Sequence, residues 1–173
     1  MRSKKGQSLI EAMVALSVLT VGFLGILSLL SKSFFYGRDV SDTMKATYLA
    51  SEGIEITKNL IDNEIAAGNG WGSCFAKQGF LGFEVDYTTS DCNNLIPYNN
   101  SGDPLFFDSD TYLYGYANPA NTTQTNFTRE IMTTLDATGD EITVRSIVTW
   151  NTGLITNQKV IMEDHFYNWR PQK

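Results

Sequence analysis

Histidine, cysteine and proline are scarce in this sequence, and the scarcity limits the chemistry that it can carry. His165 is the only histidine, and Cys74 and Cys92 are the only cysteines, which makes a zinc or other thiolate–imidazole site a poor interpretation. A Ser/His/Asp arrangement through His165 is possible on composition, but no nucleophile-elbow motif accompanies it. The histidine is better explained as a structural residue on a terminal strand, and we expect neither catalysis nor a cofactor.

Proline is absent from the first half of the chain, where its absence leaves room for a long helix. Nothing between Gln7 and about Ile65 forbids a single helix, although glycines would let it bend. The second half of this segment is amphipathic at helical spacing, with a face of small and apolar residues that a sheet could approach closely. That face carries Thr43, Ala46, Ala50, Gly53, Ile54, Thr57, Leu60 and Ile61, and the opposite face carries Ser41, Lys45, Glu52, Glu55 and Asn59.

Charged residues are also few, at 18 % of the chain against 42 % hydrophobic and 12 % aromatic residues, a balance that favours a packed core over disorder. The net charge of −6 argues against a nucleic-acid binder held by phosphate contacts. The few cations are unevenly placed, because Arg2, Lys4 and Lys5 cluster at the N-terminus.

A long apolar run follows those cations, from Leu9 to Leu30, and its single charged residue is Glu11. A helix of about 22 residues spans the roughly 30 Å of hydrocarbon in a bilayer. Basic residues before the run and few after it place the N-terminus in the cytoplasm and the rest of the chain outside. The apolar region of a secretory signal is shorter, about 7–15 residues. Cleavage at Ser31-Lys32-Ser33, which would free a secreted protein, is therefore the weaker alternative.

Glu11 is the residue that an ordinary membrane anchor does not explain. A charged side chain at the centre of a membrane helix costs about 2.5–3.5 kcal/mol, and less near an end, where it would reach the headgroups. The residues around it, KKGQSLIEAMVALSVLTVGFLGI, closely resemble the class III signal of type IV pilins and type II secretion pseudopilins. The shared features are a basic leader, a glycine, a short polar–apolar lead-in, a glutamate at fixed spacing and a long apolar tail.

The resemblance implies processing steps and partners. A prepilin peptidase would cut between Gly6 and Gln7, and the new terminal residue would commonly be N-methylated. Glu11 then stands at the fifth mature position, as in the family. Gln7 departs from the family's usual phenylalanine, and the second half of the apolar helix lacks the proline that is common in major pilins. The other implied partners are further pilin subunits, the membrane and an assembly platform in the inner membrane, with no direct nucleic-acid contact.

Removal of the leader would give Glu11 a partner. The α-amino group of Gln7 becomes a cation at the same depth, and a carboxylate and an ammonium in an apolar core offset most of each other's desolvation cost. A pair between neighbouring subunits, as the family implies, would favour one axial register. We therefore predict that Glu11 docks the subunit in a filament.

The chain is predicted to have four parts: a leader over 1–6, a transmembrane and assembly helix over 7–31, an amphipathic continuation over 32–67 and a β-rich extracytoplasmic head over 68–173. Breaker residues at 68–72 end the helical pattern. Alternation predicts strands at 80–89, 111–117, 127–135, 141–150 and 159–169, with loop between the first two. Turns at 137–140 and 151–154 join the last three strands into an antiparallel meander, so we expect an α+β, pilin-like fold with the helix packed on an antiparallel sheet.

Three of these strands have predicted faces. The strand at 111–117 would carry Tyr112, Tyr114 and Tyr116 on one side. The strand at 127–135 would place Phe127, Ile131 and Leu135 on one apolar face. The strand at 141–150 would direct its apolar face into the core, with Ile142, Val144, Val148 and Trp150.

Two groups of head residues are candidate sites. Cys74 and Cys92 fall on the external side of the membrane, where an oxidising compartment favours a bridge worth about 3 kcal/mol in the chain-entropy model. Asp103, Asp108 and Asp110 offer oxygens for calcium, which some secretion pseudopilins bind in their heads. Their spacing lacks the glycine and terminal glutamate of an EF-hand loop, so a solvated acidic turn explains them better.

The function that these features favour is a minor structural subunit of a type IV pilus-like filament. The stretch YLASEGIEITKNLIDN resembles the helix continuation of minor pilins of the PilV type. The alternatives are a type II secretion or competence pseudopilin, and an unprocessed bitopic adhesin that keeps its leader.

Overall fold

A computed structural model describes residues 5–76, 82–99, 102–152 and 155–169, and the chain divides into two compact units, Met1–Ser41 and Asp42–Lys173. One α-helix, α1, runs without a break from Lys5 to Ala66. The prediction of a single long helix is therefore confirmed. The helix ends where the chain reaches Gly68, whose φ of +80° lies in the left-handed region and whose N–H bonds to the carbonyl of Ile65.

The first unit consists of helix alone among its described residues. Every side chain from Gln7 to Phe34 is exposed, including 70 % of the surface of Val21 and of Leu29. Nothing within this unit covers the apolar run, because a lone helix has no second element to pack against.

The second unit is a sheet against the last turns of α1. The largest part of this sheet is an antiparallel meander of three long strands, β5 (Thr122–Leu135), β6 (Glu141–Thr152) and β7 (Ile155–Tyr167). The opposite edge of β5 pairs with β3 (Pro104–Asp108) and with β1 (Phe83–Glu84). On their outer edges, β3 pairs with β4 (Tyr114–Gly115) and β1 pairs with β2 (Ile96–Pro97). The predicted α+β, pilin-like arrangement of a long helix and an antiparallel sheet is confirmed.

Two hydrophobic clusters join α1 to the sheet. The proximal cluster is built on Ala46, Leu49 and Ala50 of the helix, and the distal cluster on Ile54, Leu60 and Ile61. The sheet contributes Leu105, Phe127, Val148 and Trp150 to the proximal cluster and Phe83, Ile131, Ile142 and Val144 to the distal one, which also contains Val85 from the loop after β1. The predicted inward faces of the helix and of β6 are thus buried, except that Thr43 is exposed.

Gly53 shows why small residues occupy the buried face of the helix. A Cβ at this position would lie 2.7 Å from Ile131 Cδ1 and 2.7 Å from Ser146 Oγ. Those distances are well inside van der Waals contact, so the helix and the sheet approach as closely as they do because residue 53 has no side chain.

The strand predictions before residue 120 are largely wrong. Of the predicted strand at 80–89, only Phe83–Glu84 is a strand, and residues 80 and 81 lie outside the described residues. The strand is short because the chain turns at Asp86, whose carboxylate accepts a hydrogen bond from the N–H of Thr88. Of 111–117, only Tyr114–Gly115 is a strand. The region predicted as loop contains β2 and β3. Leu135, predicted to share one apolar face with Phe127 and Ile131, is 38 % exposed at the end of β5, whereas the other two are buried.

Candidate functional site

The N-terminal segment of α1 places the predicted processing and docking residues within its first two turns. Gly6 and Gln7 both lie inside the helix, and Gln7 is exposed. Glu11 follows Gln7 by four residues, a spacing that sets two helical side chains on the same face one turn apart. The side chain of Glu11 is also exposed and makes no hydrogen bond or ion pair with another described residue.

The surroundings of Glu11 are apolar. Leu9, Ile10, Met13 and Val14 each expose more than half of their surface, and no part of the most apolar stretch of this helix is buried. Length and composition allow the helix to cross a membrane. Such a surface is stable in lipid or against the apolar surface of other proteins, and the motif at its start suits membrane anchoring.

In the head, Cys74 and Cys92 form the predicted disulfide, with their Cα atoms 5.3 Å apart. It joins the short helix α2 (Ser73–Ala76) to a 3-10 turn at Cys92–Asn94, and both cysteines are buried in the distal cluster. The bridge therefore cross-links the two ends of the stretch 74–92, in whose described residues the only strand is the short β1.

The three aspartates weighed for calcium do not come together. Asp103 precedes β3 and Asp108 ends it, so that they lie about 16 Å apart along an extended strand. Asp108 accepts hydrogen bonds from the N–H of Asp110 and the hydroxyl of Thr111, and these bonds hold its pKa below the usual value. Within the described part of the chain no group of three or more His, Cys, Asp or Glu side chains is arranged to hold a metal ion.

His165 lies on the exposed face of the meander rather than in a cleft. Its Nδ1 contacts a carboxylate oxygen of Glu141, and its Nε2 lies 3.4 Å from a carboxylate oxygen of Glu163. The hydrogen bond to Glu141 is the main reason that the pKa of His165 is raised. No serine or cysteine nucleophile is hydrogen-bonded to this ring among the described residues; its only other contact is with the hydroxyl of Thr143, 3.4 Å away.

Arg129 is the functional-looking residue that the sequence reasoning missed. Its side chain is fully buried, and Nη1 donates to the Leu49 carbonyl at 3.0 Å and to a Glu52 carboxylate oxygen at 2.8 Å. Nη2 donates to the carbonyl of Val85. One guanidinium thus fastens the helix to the loop after β1. Its position in the sequence could have indicated its burial, because residue 129 lies between Phe127 and Ile131 on the same inward face of β5.

Two buried carboxylates lie near Arg129 in different electrostatic states. Burial alone would raise the pKa of Asp86, but hydrogen bonds from Thr88 and from the Tyr116 N–H, with the charge of Arg129, outweigh it and lower the pKa. Burial raises the pKa of Glu84, whose Oε1 accepts the Asp103 N–H while Oε2 finds no partner among the described residues. These contacts describe a structural polar network, because the bonds from Asp103 to Glu84 and from Tyr116 to Asp86 each join two segments of the head.

Comparison with known proteins identifies the N-terminus and nothing beyond it. Residues 1–27 match the prokaryotic N-terminal methylation motif, the class III signal of type IV pilins. No curated protein and no solved structure matches the chain. The match includes Gly6, Gln7 and Glu11, and it supports a type IV pilin-like protein that is processed by a prepilin peptidase.

Proposed function

We propose that this protein is a minor structural subunit of a type IV pilus-like filament. The observation that carries the proposal is the methylation motif at residues 1–27, which begins a helical segment whose apolar side chains are all exposed from Gln7 to Phe34. A subunit that leaves the membrane to enter a helical bundle needs both the removal of its leader and an apolar helix whose surface is uncovered. The head, with its own core and disulfide, would be the part displayed.

The assembly mechanism begins with cleavage between Gly6 and Gln7. Before cleavage, Arg2, Lys4 and Lys5 hold the N-terminus on the cytoplasmic side. After cleavage, the segment 7–31 remains as the membrane anchor with the head outside, and an assembly platform would move the subunit into the filament. Methylation of the Gln7 amine leaves it a cation, so its attraction to a carboxylate is kept.

Glu11 sets the register in this proposal. Its side chain lies one helical turn beyond Gln7 and is exposed within an apolar surface. In the core of a filament the carboxylate of one subunit would meet the Gln7 amine of a neighbour. A misplaced subunit would leave both charges unpaired in a medium of low dielectric constant, where each costs several kcal/mol.

Mass spectrometry of the protein extracted from its native membrane tests the proposal. We expect a chain that begins at Gln7 and carries one added methyl group on its terminal amine. A chain that retains Met1 or Arg2 would contradict processing and leave an ordinary membrane anchor. Presence of the chain in sheared surface filaments then supports a pilus subunit, whereas loss of protein secretion on its deletion, with no surface filament containing it, identifies a secretion pseudopilin instead.

A further inference from the structure

The head carries a cavity whose polar walls are carboxylates and hydroxyl groups. It encloses about 340 Å³ beside β1 and the turn that follows this strand, a volume within the range of small-molecule sites, roughly 300–1,000 Å³. Among the described residues no lysine, arginine or histidine lines it. We call it the acidic cavity, and its lining includes Glu84, Asp86, Thr88, Ser90, Ile96 and Tyr116.

Glu84 is directed towards this cavity by its place in the sheet. Successive side chains of an extended chain face opposite sides. Phe83 of β1 and Val85 after it are both buried in the distal cluster under the helix, so Glu84 between them faces the other side of the sheet. Ile96 of β2, its partner across the strand pair, lines the same cavity.

The carboxylate of Glu84 has one oxygen with a partner and one without. The residue is only 2 % exposed, and its Oε1 accepts a hydrogen bond of 2.8 Å from the Asp103 N–H. Oε2 is buried and finds no partner among the described residues. Burial is the main reason that the pKa of Glu84 is raised, and the charge of Asp103 contributes to the rise. A buried polar atom in this state indicates a partner that the chain does not supply.

Asp86, the other carboxylate of the cavity, already has its partners within the chain. Its Oδ1 accepts hydrogen bonds from the N–H and the hydroxyl of Thr88 at 2.9 and 2.6 Å, and its Oδ2 accepts the Tyr116 N–H at 2.9 Å. Burial alone would raise the pKa of Asp86, but these bonds outweigh it and lower the pKa. Asp86 therefore adds negative charge to the cavity, and Glu84 is the carboxylate that keeps a free oxygen.

The walls of the acidic cavity restrict the class of cation that fits it. A calcium or magnesium ion needs about six or more oxygen ligands, and the described part of the chain arranges no group of three or more His, Cys, Asp or Glu side chains to hold a metal. A primary ammonium has only three donors to place, and the cavity offers Glu84 together with the hydroxyl oxygens of Thr88 and Ser90. Tyr116 and the half-exposed Ile96 add surface for an apolar stem.

We propose that the acidic cavity binds a primary alkylammonium group whose charge pairs with the Glu84 carboxylate. The pair gives Oε2 its missing partner and offsets the desolvation cost of both ions. Two sources share this chemistry, the lysine side chain of another protein and a free alkylamine. The inference rests on head residues alone and depends neither on removal of the leader nor on assembly into a filament.

Titration of the full chain in an uncharged detergent with n-butylammonium chloride tests the site, with backbone amide NMR resonances as the readout. The Asp103 amide, which donates to Glu84, should shift saturably, with half-saturation on the order of 1 mM for so small a ligand. The Glu141 amide, which donates to Asp136, serves as the internal control and should not shift. Sodium chloride lacks the donors and 1-butanol lacks the charge, so neither should reproduce the shift at the same concentration.

Two glutamate variants show whether the shift depends on the cavity. Glu84→Gln keeps an acceptor for the Asp103 N–H but removes the charge, and we expect it to bind the amine at least about tenfold more weakly. Glu163→Gln is the matched control, because it removes a carboxylate from β7, which β5 and β6 separate from β1. It should bind as the wild type does. Equal affinities of the wild type and Glu84→Gln would overturn the proposal.

A glycine–lysine–glycine peptide with blocked termini distinguishes the two sources of the ammonium group. If it shifts the Asp103 amide as butylammonium does, the cavity accepts a lysine side chain held on a backbone. If butylammonium alone shifts it, the cavity takes a free alkylamine. The same peptide with an acetylated lysine carries no charge and should not bind. The absence of a saturable shift with both amines would mean that the cavity is not an ammonium site.

Discussion

The two ends of α1 have the same backbone conformation and opposite relations to their surroundings. From Gln7 to Phe34 the described side chains are all exposed although most are apolar, whereas the face from Ala46 to Ile61 is buried although it includes glycine, alanine and threonine. Hydrophobicity alone therefore does not decide what a helix packs against. The first segment is mostly apolar and lacks a continuous polar face, so it suits lipid or other subunits. The second has one narrow stripe that fits a sheet.

The largest expected effect comes from cutting the polar tie between the second segment and the head. Arg129→Met removes the donors to Leu49, Glu52 and Val85 and should destabilise the head by about 3 kcal/mol, because a broken buried ion pair leaves uncompensated polar groups. Denaturant unfolding of the full chain in detergent, followed by tryptophan fluorescence, to which the buried Trp150 contributes, measures this.

Arg145→Met is the matched control for that experiment. Arg145 also binds a carboxylate, that of Glu163, but both side chains are substantially exposed. Its removal should change the free energy of unfolding by less than about 1 kcal/mol. Equal losses in the two variants would mean that burial of Arg129 is unimportant.

A pair of glycines compares the two segments directly. Gly53→Ala should destabilise the head by about 1–2 kcal/mol, because overpacking against Ile131 and Ser146 exceeds the gain in helix propensity. Gly25→Ala meets no atom within 4 Å, so it should leave the unfolding of the head unchanged and raise the helicity of the first segment slightly. Circular dichroism and denaturant titration of both variants separate these effects. A stabilised Gly53→Ala would show that the sheet can move away from the helix at little cost.

Sequence reasoning succeeded where a regular pattern extends over many residues. The helix, the inward face of β6 and the meander follow from periods of 3.6 and 2, which local chemistry alone imposes. It failed where partners are distant in sequence: β3 exists because it pairs with β5, and Pro104 is tolerated as the first residue of the strand. Arg129 was missed for the same reason, since its partners lie 44 to 80 residues away.

A smaller effect concerns pH and the network around Arg129. Because the pKa of Asp86 is lower in the folded protein than in the unfolded chain, its contribution is present above about pH 4 and is lost as the pH falls through the folded value. The stability difference between wild type and Asp86→Asn should accordingly shrink on acidification from pH 6 to pH 2. A difference that stays constant would mean that the Asp86 charge does not contribute. The matched variant Asp91→Asn controls for the loss of one carboxylate elsewhere in the head.

The smallest expected effect on the head comes from Glu11→Ala, the variant that distinguishes the two segments of α1 most clearly. Glu11→Ala changes an exposed side chain in the first compact unit, and the core of the head belongs to the second, so the free energy of unfolding of the head should change by less than about 0.5 kcal/mol. Its leader should be removed normally, since Gly6 and Gln7 are unchanged. Its incorporation into sheared filaments should nevertheless fall strongly relative to wild type expressed in the same cell, because the Gln7 amine loses its carboxylate. Glu11→Gln, which keeps the shape and removes the charge, should fall almost as far. Normal incorporation of both variants would mean that packing of the apolar surface, rather than the charge, selects the register.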